Sequence, residues 1–234
     1  MTKIWTSSMA SNKHILITLI TLVCSILFFG LTSVDEEIQN FFYNFEQHRW
    51  ILSSYTQPYK FLFYDGLKKL LIIIGVLFLL SLAFYRVSQR INSFKRGIMV
   101  VVLSAILVPM IIGGLKSNTN MPCPRDEILY GGSYPTTKVW ESFPQEVLDR
   151  GHQLKCWPAG HASGGFALMA FFFLFKRKRN RYLALGIALF VGWTMGSYKM
   201  VIGDHFFSHT FITMVLAWLI ILIVARVVKV ENRS

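Results

Sequence analysis

Six runs of this chain carry almost no charged side chains: residues 15–34, 70–85, 97–115, 162–175, 182–198 and 206–225. A bilayer core is crossed by roughly 17 to 25 apolar helical residues, and every backbone amide inside it must pair within its own segment. Runs of this length and purity predict an all-α bundle of six transmembrane helices. Two runs are short, but Lys68 and Lys69 can snorkel beside the second, and residues 156–161 are expected to prolong the fourth. The first run is read as a helix and not as a signal peptide, because no Ala-x-Ala-like site follows it before Asp35.

Basic residues set the orientation, since short loops rich in Lys and Arg stay cytoplasmic. Lys3 and Lys13 precede the first run; Arg86, Arg90, Lys95 and Arg96 fill the second turn; Lys176, Arg177, Lys178, Arg179 and Arg181 fill the fourth. The tail adds Arg226, Lys229 and Arg233, while all acidic residues but Glu231 fall on or beside the other side. Both termini are therefore expected in the cytoplasm. The net charge of +12 follows largely from topology and from contact with anionic headgroups, so nucleic acid is not an expected partner. With neither repeats nor low-complexity segments, residues 1–234 read as one domain.

This topology levels four helix tips at the outer face: Lys116 ending the third run, His161 opening the fourth, Lys199 ending the fifth, and His205 opening the sixth. Ionisable groups beside hydrocarbon are functional candidates by default. The lysines suit an anion, and the first amides of a helix beginning near Gly160 are unpaired donors at a positive dipole end. Two imidazoles beside such a pocket supply a nucleophile for a phosphoryl group and an acid for the departing oxygen, with no metal or other cofactor required.

The same residues resemble the three motifs of the type-2 phosphatidic acid phosphatase superfamily, integral membrane lipid phosphatases. Its first motif is a Lys followed after six residues by Arg-Pro; here Lys116 is followed after six by Cys123-Pro124. Its second is Pro-Ser-Gly-His; here Pro158-Ala159-Gly160-His161. Its third is Ser-Arg, then after five residues a His, with an Asp four further on; here Lys199, His205 and His209 hold those spacings. Order and spacing run from about residue 112 to 212.

The resemblance implies that His205 is the nucleophile and His161 the general acid, with Lys116, Lys199 and the Gly160 amide holding phosphate. Cys123 stands where the family has arginine, and Arg125, two residues on, is the candidate replacement. His209 stands where the family has the aspartate that orients the nucleophile. On a helix it lies one turn from His205, so a neutral ring there can orient without adding negative charge, unless Asp204 or Asp126 supplies the carboxylate.

Cys123 and Cys156 fall in the outer loop, one beside each of the first two motifs, and are expected to form a disulfide in an oxidising compartment. That loop, residues 116–161, with Gly131, Gly132, Pro135 and Pro144, reads as an ordered periplasmic cap between helices three and four. Ten aromatics between Phe41 and Tyr64, Tyr55 among them, suggest an interfacial helix, more as an anchoring belt than as a guide for acyl or isoprenoid chains. His14, His48 and His152 have no motif around them.

The expectation is thus a bacterial inner-membrane phosphatase with a periplasmic site, acting on an envelope lipid: lipid A, an isoprenyl diphosphate or a glycerophospholipid phosphate. Three alternatives stay open. The phosphoryl group could pass to another lipid; the cleft could bind lipid phosphate without cleaving it; or His205 and His209, with Asp204 or His161, could ligate a metal.

Overall fold

A computed structural model describes residues 11–53, 56–84, 88–119, 121–141, 145 and 154–229. Lys3, Tyr55, Arg86, Pro144, His152, Glu231 and Arg233 lie outside them, as does the side chain of Arg90. The fold is all-α: α1 (Asn12–Leu31), α2 (Val34–Asn40), α3 (Phe61–Ala83, opened by a π-helical turn over Phe61–Asp65), α4 (Gln89–Asn118), α5 (Gly160–Ala167, continued as a 3-10 helix over Leu168–Phe173), α6 (Lys178–Val201) and α7 (Phe207–Val227).

Five of these, α1, α3, α4, α6 and α7, are long and apolar enough to cross a membrane. The fourth run gives the shorter α5. Residues 156–159 do not prolong it: Ala159 is extended, and helix begins only at Gly160. Length comes instead from the 3-10 stretch, whose steeper rise brings the rod to about 24 Å.

That rod is the hub of the bundle, packed against α4, α6 and α7. Phe166 and Met169 on it, Ile112 on α4 and Ile221 and Leu222 on α7 are among the largest fully buried side chains. Small residues make the approach possible: a Cβ on Gly165 would lie 2.7 Å from the Cα of Gly192, and one on Gly192 would lie 2.3 Å from the Phe166 ring. Between helices in lipid, such close backbone packing replaces the missing hydrophobic driving force. The outer helices differ: α1 buries only Thr18 and α3 buries nothing, and most of their Leu and Ile side chains face outward, as side chains that meet lipid would.

The basic turns share one end of the bundle, where Lys176 Nζ sits 4.9 Å from the Phe94 ring centroid and Arg181 Nε donates to the Phe175 carbonyl at 2.6 Å. The other end carries the cap. The interfacial helix expected between the first two spans is replaced by short α2 and a two-stranded antiparallel ribbon pairing Tyr43 with Trp50 and Asn44 with Arg49. Its rings have a different use from a belt: Tyr43, Trp50 and the cap's Tyr130 lie 4.9 to 5.3 Å apart between centroids and pack with Phe206, just before α7. Two 3-10 turns, Pro124–Asp126 and Ile128–Tyr130, build the near side of the cap.

Candidate active site

The third-motif spacing is produced by how α6 ends. Lys199 offers its carbonyl to two amides beyond the helix, Asp204 at 2.8 Å and His205 at 3.2 Å. This reversal needs a left-handed residue, and Gly203 takes it with φ +76°. Lys199 and His205 are thereby fixed at the two sides of one turn. The Arg125 amide donates to the Gly203 carbonyl at 3.0 Å, which brings the first-motif loop against the same turn.

His205 and His209 are buried, with their Nδ1 atoms 3.4 Å apart and ring centroids 5.6 Å apart. Two facing nitrogens at that distance form a hydrogen bond only if one carries the proton, so the pair favours one neutral ring of each tautomer. Burial, and then His209 beside it, hold His205 well below the ordinary imidazole pKa. The His209 carbonyl accepts from the Ala159 amide at 3.2 Å, which stitches the second motif to the first turn of α7.

Asp204 lies between two cations. Lys199 Nζ donates to its Oδ2 at 2.6 Å, and Arg125 Nη1 is 2.5 Å from its Oδ1. Lys116 stands on the other side, where a Cβ on Gly160 would be 3.6 Å from its Cδ and 3.9 Å from its Nζ. The ammonium of Lys116 thus hangs over the amino end of α5, within the electrostatic reach of Lys199, Arg125 and Asp204. An anion entering here would meet three cations and the free amides of a helix start.

His161 opens α5 with its Nε2 2.6 Å from the hydroxyl of Tyr64, a residue in the π-turn of α3. Beside it a cavity of about 580 Å³ runs down between α3, α4 and α5. Lys68, Gly160, His161 and Ser163 are its polar boundary, whereas Leu71, Ile106, Pro109 and Phe171 belong to its apolar walls.

Cys123 and Cys156 are bonded as a disulfide, their Cα atoms 5.2 Å apart, within the span such a bridge takes. The bridge clasps the two ends of the cap where the Cys156 amide also donates to the Met121 carbonyl at 3.2 Å. The Cys123 amide donates to Asp126 Oδ2 at 3.2 Å, so Asp126 closes its own turn and lies 4.0 Å from Arg125 Nε.

All the expected residues therefore meet at one end of the bundle: His205, His209, His161, Lys116, Lys199, Gly160 and Arg125. Two contributors were not anticipated. Tyr64 was one ring among many in an aromatic stretch, and nothing in its spacing tied it to a histidine 97 residues away. Asp35 supplies the missing cap of α7, its Oδ1 accepting from the Ser208 amide at 2.8 Å across 173 residues of chain.

No curated protein and no solved structure matches the chain. The sequence profile of the PAP2 superfamily matches residues 97–233, from the start of the third apolar run to the tail and across all three motifs. The chain belongs to the PAP2 superfamily, and with it to a group of phosphatases that act on phosphorylated lipids or similar substrates.

Proposed function

We propose that the whole chain works as an inner-membrane lipid phosphatase, with both termini in the cytoplasm and its site facing the periplasm. It removes a phosphate from an envelope lipid such as lipid A, an isoprenyl diphosphate or a glycerophospholipid phosphate. One observation carries the reading: His161 and Gly160 line an apolar cavity of about 580 Å³ while Lys116 lies against Gly160 at the phosphate-pocket end, so a phosphate and a hydrocarbon chain can be held at once.

In the first step His205 attacks phosphorus, the bond from phosphorus to the lipid oxygen breaks, and His161 gives that oxygen a proton. Lys116, Lys199, Arg125 and the Gly160 amide neutralise charge on the other phosphate oxygens. In the second step water attacks the phosphohistidine, His161 takes the water's proton, and inorganic phosphate leaves. His209 holds the ring of His205 from the side where relatives have a carboxylate.

The test is phosphate release by detergent-purified protein from phosphatidate, an isoprenyl diphosphate and lipid A, with products resolved by mass spectrometry. Phosphate released by wild type and lost in His205→Ala supports the reading. Phosphorylated lipid acceptors appearing in place of free phosphate would make the enzyme a transferase. Tight binding without turnover of any substrate would make it a lipid-phosphate receptor.

A further inference from the structure

The proposed acid has one protein partner at its reactive edge. Among the described residues His161 Nδ1 is buried without a hydrogen bond, and Nε2 is engaged by Tyr64 Oη at 2.6 Å. The Tyr64 ring also leans on the imidazole, centroids 4.7 Å apart, and carries Lys199 Nζ over its face at 4.5 Å from the centroid. It is thus a wedge between the acid and a lysine of the phosphate pocket.

Two features set Tyr64 apart from an aromatic that merely anchors the bundle. Its neighbours Tyr59, Phe61 and Phe63 are exposed, whereas Tyr64 is partly covered and spends its hydroxyl on protein. It also sits in a π-turn, closed by the Gly66 amide on the Phe61 carbonyl, a local departure from α-helix that redirects side chains and recurs at functional sites.

Resting on the phosphatase reading, we propose that Tyr64 is the positioning residue for His161: it holds the ring with Nε2 at the mouth of the cavity and yields that nitrogen to the lipid's leaving oxygen. Tyr64 keeps its own proton throughout. When the ring is charged, its Nε2–H points to Tyr64 Oη; as substrate binds, the same N–H turns to the oxygen about to depart. The residue spares the acid a rotational search, and it matters only where the leaving group needs a proton.

That last condition separates positioning from packing. Phosphatidate expels an alkoxide, which requires protonation; 4-nitrophenyl phosphate expels a stabilised anion, which does not. In full-length detergent-purified enzyme, Tyr64→Phe is expected to lower kcat on phosphatidate about tenfold with KM within about twofold, and to change turnover of 4-nitrophenyl phosphate by less than about twofold. In a His161→Ala background the same substitution should cost nothing more.

Equal losses on both substrates, an unchanged kcat on phosphatidate, or an undiminished further loss without His161 would each overturn the role. Should Tyr64→Phe not fold, Tyr64→Gln against Tyr64→Leu gives the same contrast: the variant that keeps a hydrogen-bonding group must retain more phosphatidate activity, and equality sinks the idea. Wild type inert on every phosphorylated substrate overturns the phosphatase reading and this role with it. An active wild type with an indifferent Tyr64 overturns this role alone.

Discussion

His209 Nδ1, in the first turn of α7, lies 3.4 Å from the Nδ1 of His205, which stands two residues before that helix and not one turn along it, and both rings are buried. A carboxylate at residue 209 would favour the charged form of His205; a neutral ring does not. Burial, followed by His209, already keeps His205 below its usual range, so it stays unprotonated and nucleophilic into acidic solution. The acid limb of kcat/KM is expected below the ordinary imidazole value of about 6.5, and His209→Asp should move it upward by at least about one pH unit. A pH–rate profile that stays in place would show that His209 has no bearing on the nucleophile.

Asp204 is shared by Lys199 and Arg125, so an incoming phosphate must compete with a carboxylate already in place. Asp204→Asn removes the competitor and leaves the pocket one charge unit more positive. Product inhibition by inorganic phosphate should strengthen about fivefold at low ionic strength, and the gain should shrink with added salt because part of the pocket is open to solvent. A weaker or salt-indifferent phosphate effect would contradict a competitive Asp204.

Helix ends made much of the site legible in the sequence. Lys116, His161, Lys199 and His205 each mark the border of an apolar run, and a membrane forces such borders to a common depth. Contacts made by long-range packing left no such mark: Tyr64 to His161 and Asp35 to the Ser208 amide join segments whose local patterns say nothing of each other. The aromatic stretch misled for a related reason. Rings suited to an interface also suit a cap, and only the pairing of Tyr43 with Trp50 decides between an interfacial helix and a ribbon packed on Tyr130.

Under the cap a cavity of about 80 Å³ has Asp35, Glu36 and Glu127 in its lining. Glu127 accepts from Thr136 Oγ1 at 2.8 Å, and burial first of all pushes its pKa from 4.5 up to about 8. Burial outweighs the Ser208 contact at Asp35 as well, moving it from 3.8 up to about 6. Raised carboxyl pKa values mean that the folded state holds its protons more tightly than the unfolded chain does. The stabilisation is full below about pH 4, and is lost as pH rises through about 6 for Asp35 and about 8 for Glu127. Wild-type melting temperature should therefore decline between pH 5 and about 8.5, and Glu127→Gln should flatten the upper part of that slope. An unchanged slope would show that Glu127 is solvated.

The Cys123–Cys156 bridge closes a 33-residue separation and ties the first motif to the second. On the chain-entropy model such a loop is worth about 3 to 4 kcal/mol. Cys156→Ala is expected to lower the melting temperature by several degrees and to reduce kcat/KM as well, since Arg125 is positioned only two residues beyond Cys123. Full activity in the fully reduced protein would place the bridge outside the function of the loop.

The cavity beside His161 makes a prediction that depends on where the substrate starts. For a short-chain phosphate monomeric in water, each methylene that reaches the apolar walls leaves water and gains about 0.8 kcal/mol, close to fourfold in kcat/KM. For the same chain in a mixed micelle the transfer runs from one apolar medium to another, so the gain should nearly vanish. Gly164 lines the cavity, and a Cβ there would stand 3.5 Å from Leu71 Cδ1, leaving room for a larger side chain that grows into the open space. Gly164→Phe should raise KM for monomeric chains of eight carbons about tenfold or more while leaving a chain-free aryl phosphate unaffected. If chain length has no effect on monomeric substrates, or if the bulky variant slows both classes alike, the cavity does not receive the lipid tail.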